Sequence, residues 1–215
     1  TYNLMRTFVA AFAFVYPFSL VRQMTKDRLY GRLDGKKKYI PSLAGVTASI
    51  AVSIAGNVHY IVYRCVLPLI RKIQGVAETA SYWFPDATRY IGYNPVNDSD
   101  KTIHEFPCYS FVLGDLHAHV INVFLVLTVL GILYSWMKTN SGKSWRQREI
   151  GLLGLLLGMF LFSNTWDFMI YYVVICGTLL LGNLKRYSSD PFISQALKWS
   201  VIQWVELLAA AFLAS

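Results

Sequence analysis

The chain has 215 residues, of which 55% are hydrophobic and only 15% charged, with 20 Lys and Arg against 12 Asp and Glu. A soluble domain carries roughly 25% charge and a disordered chain is poor in apolar and aromatic residues, so this composition disfavours both classes. The formal charge of +8 raises nucleic acid as a partner, but the placement of the basic residues decides otherwise. Cys65, Cys108 and Cys176 show no CxxC spacing, which argues against a disulfide framework or a zinc ribbon.

A helix crossing the hydrocarbon core needs about 20 mostly apolar residues. Runs meeting or approaching that requirement cover residues 4–21, 39–56, 120–137, 150–163, 168–184 and 201 onward. They predict an all-α, polytopic membrane helix bundle of about six spans. Arg22, Lys26, Arg28, Arg32 and Lys36 to Lys38 lie between the first two runs. Lys138, Lys143, Arg146 and Arg148 separate the third from the fourth, and Lys185, Arg186 and Lys198 follow the fifth. Basic residues concentrated in alternate loops make those loops cytoplasmic. Nucleic acid drops out as a partner, and the lipid bilayer takes its place. Residues 57–119 become an extracytoplasmic loop within a single transmembrane domain, 1–215. The start without Met and the apolar run reaching Ser215 suggest a piece of a longer membrane protein, completed by further spans or neighbouring subunits.

Along that loop, Ile61, Val62, Cys65, Val66, Leu69, Ile70 and Ile73 form a helical stripe flanked by Arg64, Arg71 and Lys72. An amphipathic helix lying in the membrane interface, bent at Pro68, fits this pattern. Its basic residues either hold lipid phosphates or snorkel. Residues 82–107 turn to Pro, Asn, Asp and aromatics, as an ordered loop does. Tyr82, Trp83 and Phe84 fit an aromatic belt better than a sugar-stacking platform. Cys65 and Cys108 share the outer side, where they pair or remain free thiols.

The densest polar cluster is His104-Glu105-Phe106-Pro107 followed by Gly114-Asp115-Leu116-His117-Ala118-His119. In an extended chain Asp115, His117 and His119 project from one face. A carboxylate with two imidazoles makes an adequate shell for a divalent metal such as Zn, Mn or Mg. In a helix His117 points away and that set fails. The alternatives are that Asp115 caps the next helix, or that the group contacts phosphate and hydroxyl without metal. Asn164-Thr165-Trp166-Asp167 is the second site. The run before it is too short for the bilayer, which drops Asp167 below the surface, where an acid needs a polar cavity or a partner. Arg89, His117 and His119 are the candidates, and a purely structural ion pair is the competing reading. Asn57 reads as a helix cap, His59 as interfacial, and Glu206 as an acid awaiting a partner helix. The four histidines gather on one side rather than inside spans, which argues against a haem bundle. Polar residues at one face rather than along a midplane path argue against a transporter.

Thr102-Ile103-His104-Glu105-Phe106-Pro107, Ser110-Phe111 and Gly114 to His119 together resemble the signature of the "YYY" family of multi-span membrane proteins of unknown function. Tyr2-Asn3-Leu4, Gly56-Asn57, Arg89 and Asn164 to Asp167 match in order as well; His104 departs, standing where that pattern usually has Asn, and so does Phe168-Met169, where Pro is common. The resemblance implies a GT-C-like glycosyltransferase using a polyprenyl-phosphate-linked sugar at the extracytoplasmic face, by an inverting single displacement. It also implies a base in an acidic loop upstream of Tyr2. On this expectation Glu105, Asp115, His117, His119 and Asp167 are catalytic. Asp115, His117 and His119 hold a divalent metal or place the donor phosphate and acceptor hydroxyl. Asn57, Arg64, Arg89, Asn164 and Trp166 bind substrate, with Arg89, helped by Arg64 or Arg71, neutralising the leaving phosphate. The expected location is the plasma membrane of a prokaryote. A metal-dependent membrane hydrolase and a non-catalytic subunit of a larger complex are the competing classes.

Overall fold

The computed structural model describes residues 2–56, 61–76, 88, 105–139, 147–187 and 192–215. Their regular structure is helical: α1 (Tyr2–Arg28), α2 (Ile40–Ser53), α3 (Leu67–Gln74), α4 (Pro107–Leu113), α5 (Ala118–Thr139), α6 (Gln147–Ser163), α7 (Thr165–Arg186) and α8 (Phe192–Ala214). A 3₁₀ turn, Gly35–Tyr39, leads into α2, and a π-helical stretch, Ile61–Val66, leads into α3. The chain divides into two compact units, Thr1–Val120 and Ile121–Ser215.

A helix forms at each of the expected apolar runs. Among the described residues, four helices are long and apolar enough to cross a membrane: Tyr2–Arg28, Ala118–Lys138, Thr165–Arg186 and Ile193–Ala214. Helix α2 has 14 residues and α6 has 17. At 1.5 Å per residue they rise about 21 and 25 Å, short of a hydrocarbon core about 30 Å thick. Leu4, Phe162 and Leu213 are 75%, 71% and 89% exposed, a distribution suited to lipid contact rather than to water. The last turns of α1, α5 and α7 carry Lys26 and Arg28, Lys138, and Lys185 and Arg186. There the cations also complement the negative ends of the helices.

In the first unit α1 and α2 run antiparallel. Arg22 Nε donates to Ser42 Oγ at 3.3 Å, Phe18 presses on Gly45, and Ser49 Oγ donates to the Phe14 carbonyl at 2.6 Å. The partners descend along one helix as they ascend along the other. Helix α3 buries no residue and leaves Leu69, Ile70 and Ile73 exposed beside Arg71 and Lys72, as an interfacial helix would. Pro68 stands in its first turn, directly after the π-helical stretch, so its missing N–H leaves the preceding turn one helical bond short.

In the second unit Leu153, Leu157 and Phe160 of α6, Ile175 and Leu179 of α7, and Leu207 and Ala211 of α8 share one core with Leu125, Val129, Leu133 and Trp136 of α5. Gly154 faces Ala210, and a Cβ on Gly158 would stand 2.7 Å from the Ala211 carbonyl oxygen. Small residues at this seam let α6 and α8 approach closely, as apolar helices do in lipid. Asn183 Nδ2 donates to Ser200 Oγ at 3.0 Å and to Gln203 Oε1 at 2.8 Å, a buried amide knot between α7 and α8. Cys65, Cys108 and Cys176 are free thiols.

Candidate functional site

The histidine segment is shaped by a helix too short to span anything. Phe106, extended at φ −133° and ψ 153°, caps α4, and Pro107 opens its first turn. Gly114, at φ +77°, ends it, and the N–H groups of Gly114 and Asp115 both return to the Ser110 carbonyl, at 2.8 and 3.0 Å. The left-handed backbone favours glycine there, and a Cβ would also run into the Arg6 guanidinium. The Tyr2 hydroxyl then pins the turn from α1. It donates to the Gly114 carbonyl and accepts from the Leu116 N–H, each at 2.9 Å. Asp115 to His117 are non-helical, and α5 begins at Ala118, its first bond running from the Val120 N–H to the His117 carbonyl at 3.0 Å. Ahead of α4, the Phe106 ring lies against Gly56 so closely that a Cβ there has no room. That contact sets the residue beside it, Glu105.

The side chains that converge are Glu105, His117 and His119, whose ligand atoms all lie within 4.8 Å of one another. Glu105 Oε2 stands 3.5 Å from His117 Nδ1 and 3.5 Å from His119 Nε2. The two imidazole rings lie side by side, centroids 5.8 Å apart. Asp115, expected in the same trio, sits on the other edge of His117, with Oδ2 2.6 Å from Nε2. The reason is local: His119 already belongs to the first turn of α5, so the alternation of an extended strand stops at His117. Glu105 takes the place that period-two spacing gave to Asp115.

An ionised carboxylate only accepts, so His117 Nε2 carries the proton and donates it to Asp115. That hydrogen bond, with the Glu105 charge behind it, holds the His117 pKa above its usual value against the opposing effect of desolvation. Glu105 Oε2 is buried and has no hydrogen-bond partner among the described residues. Such a group is costly unless a positive charge faces it.

Asp167 occupies a different environment, within the second unit. Asn164 caps α7 by accepting from the Trp166 N–H at 3.2 Å, and Asp167 lies in the same first turn. Its Oδ2 accepts from Asn122 Nδ2 at 2.6 Å and from Asn164 Nδ2 at 3.1 Å. Asn122, 1% exposed on α5, accepts in turn from Ser163 Oγ at 2.8 Å. The partners of this acid in its own unit are therefore amides. Trp166 is 77% exposed, and Arg64 is exposed on the Ile61–Val66 stretch. Asn57, His59, Tyr82 to Phe84, Arg89 and His104 lie outside the described residues.

Asn122, Ser163 and Arg6 are contributors that the sequence reading did not single out. Asn122 carried a signal, since an amide inside an apolar run needs a partner. Arg6 and Ser163 carried none.

A family model described as "Uncharacterized membrane protein (DUF2298)" matches residues 1–215. No curated protein and no solved structure matches the chain.

Proposed function

The chain belongs to this family of uncharacterized membrane proteins, and we propose that it forms part of a GT-C-like glycosyltransferase. The reaction moves a sugar from a polyprenyl-phosphate donor to an acceptor hydroxyl at the extracytoplasmic face. The observation that carries this reading is the gathering of Glu105, Asp115, His117 and His119 at the entrance to α5, a helix apolar enough to cross a membrane. Groups of this kind, at the edge of lipid, suit a substrate with a lipid tail and a polar reacting head. The acceptor oxygen attacks the anomeric carbon, the bond to the donor phosphate breaks, and the phosphate departs on its lipid. Histidines and carboxylates supply proton acceptance and charge neutralisation for such a step.

An open surface notch of about 450 Å³ beside Pro68, Leu69, Arg71, Lys72 and Val76 adds support. Apolar walls with two cations suit a lipid phosphate, and the exposed apolar residues of α3 suit the membrane surface.

Membranes containing the protein are supplied with a polyprenyl phosphate bearing a radiolabelled sugar. The reading expects label on a non-water acceptor, lost in His119→Ala with the protein still present in the membrane. Release of free sugar instead identifies a hydrolase, in which the same residues activate water. No turnover of any polyprenyl-linked donor removes the enzymatic reading in favour of a non-catalytic subunit.

A further inference from the structure

We infer that Glu105, His117 and His119 form a binding site for one divalent transition-metal ion, with Asp115 as the residue that orients His117. The argument starts with protons. Because Nε2 of His117 donates to Asp115 at 2.6 Å, a neutral His117 presents the lone pair of Nδ1. That lone pair faces Glu105 Oε2 at 3.5 Å, and His119 Nε2 faces the same oxygen at 3.5 Å. Three potential donors of electron pairs thus converge within 4.8 Å of one another, and the shared oxygen is buried without a hydrogen bond among the described residues. A dication placed between them would meet the carboxylate and both ring nitrogens at once.

Two of the three spacings agree with this. With metal–ligand bonds of about 2.0–2.1 Å, neighbouring ligand atoms in a tetrahedral shell stand about 3.3–3.4 Å apart. The two carboxylate–imidazole separations are 3.5 Å. Two imidazoles and one carboxylate leave at least one coordination position for water or substrate, the composition of catalytic rather than structural sites. Imidazole also selects the ion: Mg²⁺ prefers an all-oxygen shell, whereas Zn²⁺ and Mn²⁺ accept nitrogen. Asp115 completes a carboxylate–histidine–metal relay, which fixes the tautomer and raises the basicity of Nδ1. The exposure of His117 and His119, 45% and 42%, gives an ion a path from solution. The site is read by binding alone, so its test is independent of whether sugar transfer occurs.

The untagged full chain in lipid nanodiscs is titrated calorimetrically with ZnCl₂, MnCl₂ and MgCl₂, with helicity and thermal unfolding followed for every variant. Expected is one equivalent of Zn²⁺ or Mn²⁺ and no comparable Mg²⁺ binding. Asp115→Asn, which keeps the fold contacts, weakens binding about 10- to 100-fold, the usual cost of losing an outer-shell partner. Glu105→Gln and His119→Ala weaken it further with helicity retained. No ion bound by the wild-type chain overturns the inference. So does Mg²⁺ binding as tight as Zn²⁺ binding, or affinity unchanged in Glu105→Gln and His119→Ala.

Discussion

The two polar clusters of this protein are built from similar residues and reach opposite outcomes. Around Asp167 the carboxylate and its amide neighbours satisfy one another. The carboxylate has two amide donors, Asn122 also accepts from Ser163, and Asn164 closes the first turn of α7. Around Glu105 the contacts stop short: a buried oxygen lies 3.5 Å from two ring nitrogens and hydrogen-bonds to neither. A satisfied network stabilises and has little left to offer a ligand, while an unsatisfied one carries a cost that a ligand can offset. The two clusters differ in how much hydrogen-bonding capacity each leaves for a ligand.

The first way to break the comparison is to open the closed cluster. Asn122→Leu removes the main donor to Asp167 and the acceptor of Ser163, leaving a carboxylate short of partners. A loss of about 1–3 kcal/mol follows, visible as a lower unfolding temperature in detergent, with zinc affinity at the Glu105 cluster unchanged. Asp167→Asn keeps an acceptor oxygen and should cost less. Equal losses in the two would mean that charge, not hydrogen bonding, holds this cluster.

Next in size is Gly114→Ala. A Cβ in left-handed backbone costs about 1–2 kcal/mol, and this one also displaces Arg6. Thermal unfolding reports the strain, and calorimetry should show weaker metal binding, because Asp115 and His117 follow directly. Tyr2→Phe is milder. It deletes the hydroxyl that joins the Gly114 carbonyl to the Leu116 N–H, worth about 1 kcal/mol, and should lower metal affinity more than it lowers the unfolding temperature.

The smallest effect is a pH dependence confined to the open cluster. The raised His117 pKa comes first from the Asp115 hydrogen bond and then from Glu105. The stabilising contact is therefore fully present below the ordinary histidine value of 6.5 and is lost as pH rises through the higher folded value. Protons compete for the metal over the same range, so Zn²⁺ binding should tighten as pH rises through neutrality. Calorimetry across that range checks the sign, and affinity that falls with rising pH would contradict it.

Much of the architecture was legible in the residues. Apolar runs located the long helices because lipid demands length and apolarity together, and basic residues marked the ends of α1, α5 and α7. The stripe from Ile61 to Ile73 gave the short helical segment before Gly75. Helix α4 begins at the end of the expected 82–107 loop and shows no apolar run long enough to mark it, although Pro107 at its first position and Gly114 just past its end are a legible pair of boundary signals. The residue set of the lip was legible, but its pairing was not. Whether Asp115 or Glu105 faces His119 depends on where the extended segment ends and α5 begins, and on the Phe106–Gly56 contact across distant sequence. The partners of Asp167 were hidden for a similar reason. Asn164-x-x-Asp167 spells a helix cap on its own, but the donor from Asn122 arrives only when α5 packs with α6 and α7.

X-ray absorption at the zinc K-edge of the full chain loaded with one equivalent of Zn²⁺ tests the central claim most directly. The account predicts a shell of two imidazole nitrogens and carboxylate oxygen at about 2.0–2.2 Å, with one imidazole lost in His119→Ala. A spectrum showing sulfur, water oxygens alone, or the same imidazole count after that substitution would contradict it.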